Sequence, residues 1–362
     1  MNTAVADCAK RFVAKLTLDM KKILPVGKLP VELLAPLLAQ APVGDPRVVL
    51  RPGVGLDCAV IETAPGSPLL VLKSDPITFA TEEIGWYAVQ VNANDIATTG
   101  AIPRWFLMTL LLPEGRTTPE RVEQISQQVY GACREMGVSV IGGHTEITAG
   151  LDRPILVGTL IGEVEREHLI TPRGANPGDR ILLTKGVPIE ATAILAREFP
   201  DRLQGVLTPA EIQQARNFLY DPGIGVLRDA QISQRAGRVT AMHDPTEGGL
   251  STALWELAEA SGRALYFDPA AVPVPPLAAR ICQAFGLDPL AAIASGALLF
   301  TTPAGDAPSI RRALETEGIA CAEIGAVQDG PVEVWCKTAG GRARLSRPAR
   351  DEIAHVYESP AN

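Results

Sequence analysis

The sequence lacks paired cysteines and long apolar runs. Its six cysteines are scattered without a CxxC pair, which argues against a zinc site and a disulfide framework, so we expect reduced and mostly buried thiols. The longest apolar stretches, residues 105–113 and 290–300, fall well short of the roughly 20 residues that span a bilayer. Lys10, Arg11 and Lys15 interrupt the N-terminal segment, so no secretory signal is expected. These absences predict a cytoplasmic protein.

Blocks of basic residues are also missing. The chain has 33 lysines and arginines against 41 aspartates and glutamates, which gives a formal net charge of -8. A general affinity for nucleic acid or for an anionic membrane is therefore not expected. An anionic ligand would need a bound cation between itself and the protein.

Length and composition predict two α/β domains. A chain of 362 residues, 46% of them hydrophobic, is long for one compact unit. Strand-like and helix-like segments alternate in both halves, and the Pro- and Gly-rich break lies at about residues 170–180. The predicted organisation is an N-terminal extension (1–26), two domains (27–170 and 171–345) and a tail (346–362). We expect the last dozen residues to be loosely ordered.

Two helices and a strand are predicted around the centre of the first domain. Apolar residues at helical spacing predict a helix over 82–99, ended by Gly100. An amphipathic helix is predicted over 117–137, with Pro119 in its first turn. The next segment is predicted to be a strand over 138–143 followed by a loop.

Four aspartates occupy positions at strand ends or on a helix. Asp57 comes just before a predicted strand, Asp75 ends another, Asp95 lies on the helix and Asp244 precedes a glycine pair. Each one alone is more typical of a cap or a turn than of a ligand. Carboxylates at the ends of strands can meet in one crevice of an α/β sheet, however, and several together need a hard cation such as Mg²⁺. The combination predicts a metal-bridged nucleotide site.

Glycine pairs are the second feature of the sequence that suggests phosphate binding. They occur at Gly53 and Gly55, at Gly142 and Gly143, and at Gly248 and Gly249. The last pair precedes a predicted helix, whose N-terminal N–H groups could face a phosphate. Ordinary turns use glycine as freely. The chain has neither GxGxxG nor GxxxxGKS/T, so the Rossmann and P-loop readings lose their main support.

The order of these motifs resembles that of the aminoimidazole ribonucleotide (AIR) synthetase superfamily, also called PurM-like. The chain reads, in order, GLDCAVI, KSDPIT, VNANDIATTGAIP, GGHTEIT, TPRGANPGDRILLTKG and HDPTEGGLSTALWELAEASG. The resemblance covers about residues 27–340 and keeps both order and spacing. Among the branches of the superfamily, the motifs are most similar to those of the hydrogenase-maturation HypE branch.

The resemblance implies a fold and a cofactor. The implied fold is an α/β (α+β) chain of two domains, an AIR synthetase-like N-terminal ATP-binding domain and a C-terminal α/β domain. In such proteins the mixed sheets of two N-terminal domains form a barrel across a homodimer. The resemblance further implies that Mg-ATP binds in the cleft of each chain.

Roles of individual residues follow from the same resemblance. It implies that Asp57, Asp75 and Asp95 are metal ligands, and that Asp75, Asp95 and His144 act in catalysis. It implies nucleotide-binding roles for a larger set: Lys28, Asp57, Lys73, Asn94, Gly142, Gly143, Thr145, Asp244, Gly248 and Gly249. For His144 a structural role in a loop, and for Lys73 a solvated position at a strand end, are equally consistent with the sequence.

The sequence departs from the family pattern at several points. Leu56 stands where many relatives have an aspartate, and His144 stands where many have one too. HypE proteins carry a C-terminal cysteine whose carbamoyl group is dehydrated to a nitrile, whereas this sequence ends in VYESPAN, so that self-modifying reaction is not expected. The segment LPVGKLP lacks the reactive cysteine of selenophosphate synthetases, although Lys28 could cap a phosphate there.

The function expected from the sequence is that of an Mg-ATP-dependent enzyme. Its γ-phosphoryl group would be transferred to an amide, formyl or phosphate oxygen of a small-molecule or protein-bound acceptor, such as a carbamoyl group. One alternative is a small-molecule kinase of the thiamine-monophosphate type. The other is a maturation scaffold that binds ATP and a partner protein without turnover.

Overall fold

The computed structural model describes residue 24 and residues 27–78, 80 and 82–358. The expectations for Cys8 and for most of the N-terminal extension lie outside these residues. The five described cysteines are free, and four of them, Cys58, Cys133, Cys282 and Cys321, are buried. No helix in the described part of the chain is long and apolar enough to cross a bilayer.

The first half of the chain forms a six-stranded mixed sheet. Its strands, in spatial order, are β1 (Val48–Leu50), β2 (Ala59–Glu62), β3 (Leu69–Ile77), β6 (Ile155–Val164), β4 (Ile102–Pro113) and β5 (Ser139–Thr148). Only the edge pair β4–β5 is parallel, and all other pairs are antiparallel. A short helix, Val31–Ala39, precedes β1 and has no buried residue.

Two helices cover one face of this sheet. The helix Ile84–Thr98 packs on β3, β4 and β6, and the helix Pro119–Met136 packs on the first helix. Both were predicted within two residues, because their caps are local. Thr118 accepts a hydrogen bond from the N–H of Arg121, and Gly137 has a left-handed φ of 69°. Gly158 of β6 lets the first helix approach, since a Cβ there would lie 2.6 Å from Asn92 Nδ2.

The second half forms a seven-stranded mixed sheet. Its strands, in spatial order, are β13 (Gly341–Arg344), β12 (Glu333–Thr338), β9 (Ala264–Phe267), β11 (Cys321–Gln328), β7 (Arg180–Thr184), β10 (Leu299–Thr302) and β8 (Ala241–His243). Only β9 and β12 run parallel. The helices of this half are Ile189–Glu198, Pro200–Leu203, Pro209–Asn217, Leu227–Ala236, Gly249–Ser261, Pro276–Phe285, Ala307–Thr316 and Ala354–Glu358. The architecture is therefore the expected two-domain α/β fold of PurM-like type, and the barrel across a dimer stays a prediction.

Two expectations about local structure were wrong. Residues 144–148 continue strand β5 and do not form a loop, because Thr109 to Pro113 of β4 pair with His144 to Thr148 in register. The end of the chain is also better ordered than expected up to residue 358. Ile353 and Val356 are buried, and Asp351 is 2% exposed, because this segment packs against the second half of the chain.

Candidate active-site cleft

The helix Ile84–Thr98 is buried on all sides and carries several buried polar residues. Asn92, Asn94, Asp95 and Thr98 are all buried. The Asn92 Oδ1 accepts a hydrogen bond of 3.0 Å from the N–H of Asp75, and its Nδ2 donates to the carbonyl of Ala88. Asn92 therefore fixes the backbone of strand β3 at Asp75.

Lys73, Asp75 and Asp95 form one part of the cluster, which we call the lysine side. The Lys73 Nζ lies 3.2 Å from Asp75 Oδ2 and 3.2 Å from Asp95 Oδ2. The Lys73 side chain is 13% exposed, so it is not the solvated lysine that the sequence left open. A fixed ammonium group thus occupies the space between two of the three predicted metal ligands.

Asp57, His243, Asp244 and Glu256 form the other part, which we call the histidine side. His243 Nδ1 lies 3.1 Å from Asp57 Oδ2, and His243 Nε2 lies 2.8 Å from Glu256 Oε2. Asp244 is fully buried, and neither of its carboxylate oxygens has a hydrogen-bond partner among the described residues. The histidine side joins the two halves of the chain, because Asp57 precedes β2 and the other three residues belong to the second half.

Charges on the lysine side and on the histidine side shift each other's pKa values. Burial and the charges of Asp244, Asp57 and Asp75 raise the pKa of Asp95 well above its usual range, against the opposing charge of Lys73. Burial and the charge of Asp57 raise the pKa of Asp244 to about 6. The lysine side and the histidine side therefore form one acidic cluster of side chains from both halves of the chain, and we call this region the cleft.

The two basic groups are held in their charged forms. Although burial opposes it, the carboxylates of Asp95, Asp57 and Asp75 raise the pKa of Lys73 well above its usual value. Burial likewise opposes the charge on His243, but Asp57 and Glu256 raise its pKa well above the usual range. The neighbouring imidazolium in turn keeps the pKa of Asp57 well below the usual range.

A glycine turn after Asp244 is held by the C-terminal segment. The N–H of Gly248 donates to Asp351 Oδ2 at 2.5 Å, and the N–H of Gly249 donates to the carbonyl of Thr246. Gly248 also has a left-handed φ of 79°, a conformation that favours glycine at this position. Both amide groups are used inside the chain, and a phosphate contact there would have to replace an existing bond.

Lys28 lies against the same turn. Its Nζ donates to Thr246 Oγ1 at 3.0 Å, and its N–H donates to Glu247 Oε2 at 3.0 Å. The segment before the helix Val31–Ala39 is thereby attached to the second half of the chain near the cleft. The role of Lys28 as a phosphate ligand stays a prediction.

Asn94 has a different position from the one implied by the resemblance. Its Nδ2 donates to the carbonyl of Ile224 and its Oδ1 accepts from the N–H of Val226, both at 2.8 Å. The side chain is completely buried and uses its amide on the backbone of the second half. Asn94 therefore links the two halves of the chain, and its predicted role at the nucleotide stays a prediction.

The predicted residues of strand β5 lie apart from the cluster. Asp75 pairs with Gly158, Gly158 with Met108 and Met108 with Gly143, so three strand spacings separate Asp75 from Gly143, about 14 Å. His144 pairs with Thr109 and therefore points to the face of the sheet opposite to Asp75. Its side chain is 62% exposed and contacts Glu146 at 3.0 Å.

Gly142, Gly143 and Thr145 share this exposed strand with His144. A Cβ on Gly143 would lie 1.8 Å from the carbonyl oxygen of Met108, so the parallel pairing of β5 with β4 itself requires this glycine. Within one chain, β5 and the carboxylate cluster form two separate groups. The roles predicted for Gly142, Gly143, His144 and Thr145 stay predictions.

In the described part of the chain, one group of side chains has the spacing of a metal site. Asp57, His243 and Asp244 each offer a donor atom, and these atoms all lie within 4.8 Å of one another. The predicted set was Asp57, Asp75 and Asp95. The compact group shares Asp57 with that set, whereas Asp75 and Asp95 each lie 3.2 Å from Lys73 Nζ. The metal roles predicted for Asp75 and Asp95 stay predictions.

Three residues of the site were missed in the sequence. His243 directly precedes Asp244 in the motif HDPTEGG, and a strand that ends in His-Asp is a detectable signal. Glu256 is the acidic residue between Trp255 and Leu257 in a helix that also contains Glu259, which is a weaker signal. Asp351 lies 103 residues from its partner Gly248, and no local pattern reveals it.

Fold and site together define a two-domain α/β protein whose halves share one buried acidic cleft. Residues 55–164 match the family described as "AIR synthase related protein, N-terminal domain", and residues 176–337 match "AIR synthase related protein, C-terminal domain". The chain belongs to this family of AIR synthase related proteins.

Curated relatives with similar sequences include proteins named carbamoyl dehydratase HypE. The protein of Cupriavidus necator is 30% identical over 295 residues, which cover 78% of this chain and 80% of the relative. The protein of Azotobacter vinelandii is 30% identical over 278 residues, covering 75% of this chain and 78% of the relative.

Solved structures agree with this assignment. The crystal structure of the hydrogenase maturation protein HypE in complex with ATP has a TM-score of 0.66 and 26% identity, covering 84% of this chain and 90% of that one. The thiamine monophosphate kinase of Aquifex aeolicus has a TM-score of 0.60 and 23% identity, covering 78% of this chain and 91% of that one. The second likeness supports the fold alone.

Proposed function

We propose that this protein is an ATP-dependent enzyme that uses a divalent cation, and that the cleft between its lysine side and histidine side binds the triphosphate. The observation that carries the proposal is the fully buried Asp244, whose two carboxylate oxygens have no hydrogen-bond partner among the described residues. A buried, unpaired carboxylate is costly unless a cation binds it. The relative HypE, crystallised with ATP, supports the choice of nucleotide.

The donor set fits a cation carried by phosphates. Asp57 and Asp244 would hold it, since their oxygen atoms belong to the compact donor group. A bound cation of this kind neutralises charge on a transferring phosphoryl group. Lys73 supplies a second, fixed positive charge on the other side of the cleft, 3.2 Å from both Asp75 and Asp95.

The remaining groups of the cleft position these charges. Asn92 holds the backbone of Asp75, and Asp351 holds the turn after Asp244. Asp95 is only 2% exposed, so its carboxylate is held beside Lys73 and away from solvent. The pocket for the acceptor then determines whether an amide, formyl or phosphate oxygen attacks, and the relatives named carbamoyl dehydratase favour a carbamoyl oxygen.

We further propose a homodimer formed by the open face of the first sheet. Most side chains in the middle of that face are apolar and partly exposed, and Ser74, Thr109, Thr159 and His144 lie beside them. The apolar set is Leu70, Leu72, Trp105, Leu107, Leu111, Ile155, Val157 and Ile161. A contiguous apolar surface on a sheet is typical of a buried contact.

Analytical ultracentrifugation tests the homodimer. Leu107→Arg should give monomers, while Val206→Arg, at an exposed apolar residue elsewhere, should not. A wild-type monomer would contradict the dimer.

ADP release in the presence of candidate acceptors tests the enzyme. With ATP and a divalent cation, wild-type protein should release ADP. Asp244→Asn should lower the rate at least about 100-fold, because it removes the negative charge while keeping the size of the side chain. Asp152→Asn, at an exposed aspartate, is the matched control. Wild-type rates in Asp244→Asn would reject the proposed site.

The product distinguishes the acceptor classes. A carbamoyl or amide acceptor yields ADP and free phosphate, whereas a small-molecule kinase yields ADP and a stable phosphorylated product. ATP binding without any ADP release would instead identify a scaffold. Scoring ADP, AMP and phosphate separately therefore separates all three hypotheses in one assay.

A further inference from the structure

The donor atoms of the histidine side have the spacing of ligands around a single ion. Metal–ligand bonds of about 2.1 Å place adjacent donor atoms about 3.0 Å apart and opposite ones about 4.2 Å apart. Asp57 Oδ2 and His243 Nδ1 are 3.1 Å apart, and the three donor atoms of Asp57, His243 and Asp244 all lie within 4.8 Å of one another. Small side-chain rotations bring them into one coordination sphere.

Two of these residues have buried atoms without hydrogen-bond partners. Asp244 is 0% exposed, and both of its oxygens lack a partner among the described residues. His243 is 2% exposed, and its Nδ1 lies near Asp57 without the geometry of a hydrogen bond. Buried polar atoms of this kind are normally satisfied by a ligand, an ion or water.

Glu256 orients the imidazole for metal binding. Its Oε2 lies 2.8 Å from His243 Nε2, so the Nε2–H can donate to this carboxylate. Nδ1 then keeps a lone pair, and this atom lies 3.1 Å from Asp57 Oδ2. Metal-binding histidines usually donate their other ring N–H to a carboxylate in this way. Glu256 would thus orient His243, and His243 would share the ion with the carboxylates of Asp57 and Asp244.

We propose that His243 is a metal ligand, and that Asp57, His243 and Asp244 together bind a divalent first-row transition-metal ion in preference to Mg²⁺. Mg²⁺ takes oxygen ligands almost exclusively, whereas imidazole nitrogen favours the transition metals. The inference rests on the proposed function because it places the ion in the same cleft. Binding of the ion itself requires no nucleotide and is measured without one.

Binding exchanges a proton for the metal. His243 lies between Asp57 and Glu256. An ion bound at Nδ1 would displace a proton from that atom to the buffer, and the Nε2–H would remain directed to Glu256. No other bond forms or breaks.

Electron spin echo envelope modulation with Mn²⁺ as the probe tests the proposal on the full chain. With substoichiometric Mn²⁺ and no ATP, wild-type protein should show coupling to a directly bound nitrogen, and ¹⁵N-labelled histidine should change that coupling. The coupling should disappear in His243→Gln and persist in His168→Ala, which removes an exposed histidine. The labelled wild-type sample alone decides the question if His243→Gln does not fold.

Titration calorimetry measures the selectivity. His243→Gln should weaken Mn²⁺ binding at least about tenfold while changing Mg²⁺ binding much less, and Glu256→Gln should weaken Mn²⁺ binding about tenfold with the nitrogen coupling retained. Mn²⁺ bound without histidine coupling, or equal effects on both ions, would overturn the proposal and leave the ATP-dependent activity standing. Histidine coupling in a protein that never releases ADP would support the proposal and reject the proposed function.

Discussion

The helix Ile84–Thr98 is buried along nearly its whole length, whereas strand β5 (Ser139–Thr148) is exposed along nearly all of its own. Both carry polar motifs that sequence reasoning assigned to the same site. On the helix, three polar side chains have partners that fix them: Asn92 on β3, Asn94 on the second half and Asp95 at Lys73. On β5, His144 contacts its strand neighbour Glu146.

This difference indicates what a single chain can and cannot complete. The cluster around Asp95 is assembled by contacts within one chain, and it is preorganised because its partners are buried. The strand β5 points His144 to the open apolar face, away from Asp75. Within one chain His144 lies apart from the cluster, whereas the resemblance implies that it acts in catalysis. We therefore propose that, in the homodimer, β5 of one chain acts at the cleft of its partner.

Lys73→Met should produce the largest effect on stability. It leaves the carboxylates of Asp75 and Asp95 without their ammonium partner, and removing one member of a buried ion pair costs about 4 kcal/mol. Urea denaturation at neutral pH measures the loss. The double variant Lys73→Met with Asp95→Asn should recover most of it, since a neutral pair replaces the unpaired charge. No recovery would show that Lys73 acts through packing.

The loss in Lys73→Met should depend on pH with a definite sign. Without the ammonium group, the pKa of Asp95, which burial already raises above 3.8, rises further. A carboxyl whose pKa is raised on folding is most favourable to the folded state at low pH, and its contribution is lost as the pH rises through the folded value. The free energy of unfolding of the variant should therefore fall between about pH 4 and neutrality more steeply than that of wild type.

Asn94→Ala should have the next largest effect. It leaves the carbonyl of Ile224 and the N–H of Val226 buried without partners, at a cost of about 3 kcal/mol. Asn217→Ala, at an exposed helix end, should change the free energy of unfolding by less than about 0.5 kcal/mol. Mn²⁺ affinity of folded Asn94→Ala should equal that of wild type. A selective loss of ATP or metal binding without a loss of stability would restore the ligand role that the resemblance implies.

His144→Ala should have the smallest effect on stability. Its exposed contact with Glu146 belongs to a class of ion pairs worth less than about 1 kcal/mol. The same variant should nevertheless reduce ADP release, because we propose that β5 acts in the partner's cleft. A large drop in the denaturation midpoint would contradict the separation between helix and strand.

The sequence was sufficient where the signals are local. Caps and apolar spacing predicted the two helices that cover the first sheet, Ile84–Thr98 and Pro119–Met136. The motif order predicted the family and the fold. Asp57, Asp75, Asp95 and Asp244 were also identified, because each belongs to a motif at a strand end or on a helix. These features depend on neighbours in the sequence.

The sequence was insufficient where partners are distant. Which carboxylates Lys73 neutralises, and which share His243, depends on contacts between β3, β8 and two helices that no pattern specifies. Asn94 has the same motif neighbours as Asp95 but turns to the loop at residues 224–226. The continuation of β5 to Thr148 depends on pairing with β4, which a polar and glycine-rich segment does not reveal.

Mixing two inactive variants tests the central claim, that the cleft of one chain is completed by β5 of another. Asp95→Asn and His144→Ala should each release little ADP alone. After mixing and exchange of subunits, half of the dimers are mixed and each mixed dimer has one intact cleft, so about a quarter of the wild-type activity should return. Activity that does not return on mixing, with exchange verified by native mass spectrometry, would contradict the account.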